Sequence, residues 1–154
     1  MDILRERFSL EDVFEVEKSD EILLFSIQPR FSEMIRAGTK KVELRKRKPK
    51  IVSDFAIIYE SSPKKSVSFL IKIKKIDCAP KKAIWERYRT KCGISKESFY
   101  DYYKGSKESV AILIDSIMPL DYTIPRKILS LYGLTPPQDY RYAPKEMVME
   151  ILGR

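Results

Sequence analysis

Histidine is absent from all 154 residues. That removes Ser-His and Cys-His nucleophile pairs and any general acid or base built on imidazole. The two cysteines, Cys78 and Cys92, do not form a CxxC pair, and without imidazole partners they cannot complete a zinc site. Carboxylates alone could gather a divalent cation, but Glu43, Glu60 and Asp115 are scattered along the chain, so neither a metal nor another cofactor is expected. Five glycines, none clustered, leave no phosphate-cradling loop. No apolar run approaches the roughly 18 residues that a membrane span needs. The first residues carry scattered charges and lack the apolar centre of a secretion signal. The expectation is a cytoplasmic protein with two free thiols and no membrane partner.

What the sequence has in excess is positive charge, unevenly placed. The net charge is +8. Residues 36–50 hold eight Lys or Arg against Glu43 alone, and residues 61–76 add five Lys with no acid. Residues 1–21 hold eight acids against three bases. So concentrated a positive field fits a polyanion, and RNA is the expected partner, with single-stranded DNA as an alternative. The competing reading is a solvated surface with no partner.

Periodicity gives a mixed α+β chain in the order β-α-β-β-β-α-α-β-α-α. Ile22 to Ile27 reads as a strand buried on both faces. Pro29 opens a short helix that Gly38 closes. Val42 and Leu44 alternate with Glu43, Arg45 and Arg47, a strand with one polar face. Phe55 to Tyr59 and Val67 to Ile73 follow as strands around a turn at Ser61-Ser62-Pro63. Pro80 and Ser95 start two helices, Val110 to Ile117 is a further strand, and the tail turns helical after Thr123 and again from Pro144. Three segments are expected: an acidic extension over residues 1–21 packed through Phe8, Leu10, Val13, Phe14 and Val16; a domain over 22–143; and a terminal helix over 144–154.

Ser26-Ile27-Gln28-Pro29, the helix after it, and the run from Gly38 through Lys40, Glu43 and Arg45 to Arg47 resemble the ASCH family, whose mark is G-x-K-x-x-E-x-R behind a short helix. Tyr59 to Pro63, Gly93 to Lys96 with Tyr103 to Gly105, and Pro136 to Tyr142 extend the resemblance in order over about residues 22–143. It implies a PUA-like fold, a small mixed β-barrel of about five strands with helices inserted and flanking. It also implies a cleft beside the first helix and an association with RNA. One branch of the family removes acetyl groups from acetylated cytidine with a threonine where this chain has Glu43, and with a later glutamate that the stretch Arg89 to Gly93 lacks. That chemistry is not expected here.

Within the implied cleft, Lys40 is either a phosphate ligand, a nucleophile if it loses its proton, or a solvated surface lysine. Glu43 and Arg45, two apart on a strand, share a face. Glu43 then orients the neighbouring cations, acts as a base, or makes a plain ion pair. Arg47 is expected to continue that face and meet phosphate, as is Lys64 from the basic stretch that follows. Ser26, Gln28, Ser61 and Ser62 are expected to line the cleft, with turn hydrogen bonding the alternative for the last two. Tyr140, Arg141 and Tyr142 set aromatic rings around a basic group, either to stack bases or to pack the tail on the sheet. Two functions follow: a module that binds RNA, or a hydrolase acting on RNA or on a modified nucleoside with Lys40 and Glu43 as its chemical groups.

Overall fold

The computed structural model describes residues 10–19 and 21–153. Its elements are α1 (Leu10–Lys18), β1 (Ile22–Ile27), α2 (Pro29–Ala37), β2 (Val42–Arg45), β3 (Phe55–Glu60), β4 (Ser66–Ala79), α3 (Lys81–Tyr88), α4 (Lys96–Tyr102), β5 (Ser109–Pro125), α5 (Arg126–Leu131), β6 (Arg141–Ala143) and α6 (Lys145–Ile151). No described helix is long and apolar enough to cross a membrane. Both cysteines are free, Cys78 exposed and Cys92 buried. Of the acidic extension, Phe8 lies outside the described residues. Val16 on α1 is fully buried, and Asp12 meets Lys72 at 3.0 Å.

The six strands form one sheet in the order β2-β5-β4-β3-β1-β6. β1 and β3 run parallel, and every other neighbouring pair is antiparallel. The barrel expected from the sequence is not what the strands make. The sheet is open, with β2 and β6 at its edges. The alpha-plus-beta class stands, with six strands in place of about five. The added one is β6, three residues at the edge against β1. It is too short to leave a periodicity of its own.

β1 shows why its sequence is apolar throughout. Ile22 and Leu24 point into one core with Ile57, Leu70 and Met147, while Leu23, Phe25 and Ile27 point into another with Ile58, Phe69 and Ile112. α1, α5 and α6 cover the first face and α2 the second, through Val16, Leu129, Val148 and Ile35 respectively. α3 and α4 build a third core beneath β2, where Val42 and Leu44 meet Ile84, Phe99 and Tyr103. The turn into β2 depends on Gly38, at φ 79°, a conformation only glycine adopts without cost. Its N–H donates to the Ile35 carbonyl, and the Thr39 N–H donates to that of Met34.

β4 and β5 are longer than their alternating patterns. Their ladder runs from Ser66↔Pro125 to Ala79↔Ser109 and shifts register around Lys72, Ile73 and Lys75. Those irregularities interrupt the period-two pattern and hide the continuing strand.

Candidate functional site

β2 places Glu43 and Arg45 on one face, as alternation requires. Both are buried, 7% and 9% exposed, and Lys40 just before the strand is 3% exposed. Glu43 sits between the two cations. Its Oε1 is 3.3 Å from Lys40 Nζ and its Oε2 is 3.1 Å from Arg45 Nη2. Lys40 also donates to the Cys92 carbonyl at 2.6 Å. Gly93 closes behind it at φ +74°, where an added Cβ would lie 3.2 Å from Met34 Cε and 3.4 Å from Lys40 Cβ. Lys40 is therefore not a solvated surface lysine.

Arg45 crosses to the other side of the sheet. Its Nη2 donates to the Ser26 carbonyl on β1 at 2.6 Å, although β5, β4 and β3 lie between β2 and β1 in the strand order. The guanidinium stands 5.0 Å from the Phe25 ring centre and 6.0 Å from that of Tyr140, and those two rings meet edge to face at 6.0 Å. The sheet thus curls until its β2 edge faces β1, and side chains span the gap that no backbone ladder closes among the described residues.

Three buried polar atoms among the described residues have no hydrogen-bond partner: Ser26 Oγ, Arg45 Nε and Tyr140 Oη. Arg45 Nε and Tyr140 Oη belong to this gap, the guanidinium lying 6.0 Å from the Tyr140 ring centre. A buried group left without a partner costs about 1–3 kcal/mol. Burial pushes the Tyr140 phenol far above its ordinary value, the Arg45 charge opposing and Asp139 and Glu43 reinforcing it. Tyr140 therefore keeps its proton at neutral pH and can donate it in a hydrogen bond. Tyr102 at the rim is raised by burial in the same way. Beneath the strand, Tyr103 donates toward the carbonyls of Arg45 at 2.9 Å and Val110 at 3.2 Å and fixes β2 from behind.

The other expected residues are distributed around this gap or away from it. β2 ends at Arg45, so Arg47 does not continue its face. It turns outward and closes on Asp139 at 2.6 Å across the mouth. Tyr142 exchanges hydrogen bonds with the N–H and carbonyl of Ile51 at 2.8 and 3.0 Å, which occupies its hydroxyl, and Arg141 is exposed on β6. Gln28 precedes α2 without a side-chain cap. The Ser61 N–H donates to the Ile27 carbonyl, and Ser62 is exposed beside the cis Ser62–Pro63 bond.

Lys64 belongs to a second network. It reaches Glu33 at 2.5 Å and Glu60 at 3.2 Å. Glu60 is fully buried, accepts from Ser32 at 2.8 Å and also binds Arg36 and Ser68. Burial favours its neutral form, yet these donors prevail and hold the carboxyl below its ordinary range. This network was not anticipated from sequence, because its members come from α2, β3 and β4. No group of three or more described acids and cysteines is placed to hold a metal ion.

The ASCH domain family model matches residues 25–119. The chain is 27% identical over 133 residues to the ASCH domain-containing ribonuclease of Zymomonas mobilis, covering 84% of this chain and 88% of that one. The crystal structure of ASCH from Zymomonas mobilis superposes with a TM-score of 0.79 at 26% identity, over 86% of this chain and 94% of that one. A point variant of the same protein gives 0.79 at 25%, over 86% and 96%.

Proposed function

This chain belongs to the ASCH domain family, and from that premise we propose that it acts on RNA, seating one nucleotide of a single strand at Arg45 and cleaving the phosphodiester bond held there. The observation that carries the reading is that Arg45 Nε and Tyr140 Oη are both buried and unpartnered, with the guanidinium 6.0 Å from the Tyr140 ring centre. A phosphate supplies the acceptors that Arg45 Nε and the Tyr140 hydroxyl lack. Lys40 adds a second positive charge, and both cations then face the negative charge that builds on phosphoryl oxygens in the transition state. The low exposure of the site strengthens each of these interactions. The similar Zymomonas mobilis protein, a ribonuclease by name, supports RNA as the substrate.

Glu43 contacts both cations and takes the proton of the attacking 2′-hydroxyl. As the 2′-oxygen bonds to phosphorus, the bond from phosphorus to the 5′-oxygen breaks. That oxygen recovers a proton from water, leaving a 2′,3′-cyclic phosphate. Single-stranded DNA, lacking the 2′-hydroxyl, binds and survives.

A second reading, binding without cleavage, is favoured by the engagement of both Glu43 oxygens. Oε1 also accepts from the Leu44 N–H at 3.2 Å, which suits a fixed anchor for two cations better than a free base. Incubating labelled RNA with the protein, with and without Mg²⁺, and scoring retention and product size separates the two. Cyclic-phosphate ends that vanish in Glu43→Gln support cleavage. RNA retained intact by the unsubstituted protein leaves the binding module.

A further inference from the structure

Beside Lys40 lies a concavity of about 280 Å³ that Lys40 lines and Arg45 does not. Its floor is apolar, with Ile35 from α2 and Leu113, Ile114 and Ile117 from β5. Lys41, Lys74 and Lys91 stand around it. They come from the turn before β2, from β4 and from the loop after α3, and all three are exposed. None has an acidic partner within 4.0 Å among the described residues, whereas Arg36, Lys40, Arg45, Arg47, Lys64, Lys72 and Arg87 all do. Asp115 is the single acid on the wall.

The groove is joined to the cleft at Lys40, which lines it while its Nζ rests on Glu43. The Lys91 carbonyl, which receives the N–H groups of Lys41 and Val42 at 2.8 and 3.1 Å, fixes the groove wall to the start of β2. Cleft and groove therefore keep a set separation.

We propose that this groove is a second RNA subsite, holding the nucleotide next to the one in the cleft with its sugar and base over the aliphatic floor and its phosphates against Lys41, Lys74 and Lys91. The inference rests on the reading of the cleft as an RNA site and specifies the substrate: a single-stranded oligoribonucleotide that spans both concavities, not a mononucleotide or a free modified nucleoside. An apolar floor with a rim of unpaired cations matches the two faces of a nucleotide unit, and the lone Asp115 does not offset three lysines.

The test is the salt dependence of binding to a labelled oligouridylate of about a dozen nucleotides, with the single nucleotide uridine 3′-monophosphate measured by competition. The variant replaces Lys41, Lys74 and Lys91 together by Gln, which keeps most of each apolar stem. The oligomer should bind about tenfold more weakly, and the slope of log affinity against log salt should fall by about 1.4, roughly 0.7 for each of the two phosphates that flank the nucleotide in the groove. Uridine 3′-monophosphate, which can settle in the cleft alone, should bind within about twofold of the unsubstituted protein. Asp115→Asn keeps all three lysines and should tighten oligomer binding, so the proposal stays testable if the triple variant does not fold. An unchanged slope in the triple variant, or an equal loss for oligomer and uridine 3′-monophosphate, overturns the groove and leaves the cleft intact. An unsubstituted protein that retains neither oligomer nor uridine 3′-monophosphate removes the cleft reading and the groove with it.

Discussion

Arg45 on β2 hydrogen-bonds the backbone carbonyl of Ser26 on β1 at 2.6 Å, across a sheet in which three other strands separate the two. The same guanidinium holds Glu43 on one side and leaves its Nε unpartnered on the other. One side chain thus ties the fold together and, in the proposed function, faces the RNA, so substitutions around it are expected to affect stability and RNA handling in separable ways.

Tyr140→Phe is expected to stabilise the protein or leave it unchanged while lowering activity on RNA. The hydroxyl has no partner in the ligand-free protein, so its removal relieves about 1 kcal/mol of desolvation. If the hydroxyl donates to phosphate, affinity or cleavage drops about tenfold. Denaturant melts beside RNA titrations check both. A loss of stability with full activity would show the hydroxyl to be structural.

Glu43→Gln leaves Lys40 and Arg45 without their shared counter-charge. Both are almost fully buried, so the expected cost is about 3 kcal/mol. Lys40→Gln combined with Glu43→Gln removes one cation as well and should recover part of that stability. A chemical melt of the two variants gives the comparison.

Asp139→Asn releases Arg47 from its ion pair at the gap. The arginine is largely exposed, so stability should change by less than about 1 kcal/mol. RNA affinity at low salt should rise, because a cation gains freedom and an acid is removed. Filter binding at matched salt measures it.

Acid should unfold the protein through Glu60 and Glu33, whose carboxyls are both held below the ordinary 4.5. The folded state binds their protons less readily than the unfolded chain does. Their contribution is therefore complete above the ordinary value and disappears as pH falls through the lowered ones. Ser68→Ala removes one of the donors that offset the burial of Glu60. The acid midpoint, followed by circular dichroism, should move to higher pH.

The site was only partly legible in the sequence. β1 was readable because both its faces are buried, and α2 because Pro29 and Gly38 bound it. Glu43 and Arg45 were rightly set on one face, since that needs only strand alternation. Arg47 was not, because β2 stops two residues short of it. The pairing of Arg45 with Ser26, the unpartnered Tyr140 hydroxyl and the Glu60 network all depend on how distant strands meet, and no local pattern encodes that. The open sheet has the same origin: counting strands does not say whether the last ladder forms.

That missing ladder gives the cleft a dynamic meaning. Backbone hydrogen bonds join each strand to its neighbour from β2 around to β6, but the approach of β2 to β1 depends on Arg45, and that of their flanking loops on Arg47 and Tyr142. A bound RNA would add contacts to both sides of this seam, so parting of the sheet and departure of the ligand become linked equilibria. Hydrogen exchange at the amides of β2 and β6 would then slow on RNA binding, while exchange in the laddered centre stayed as it was.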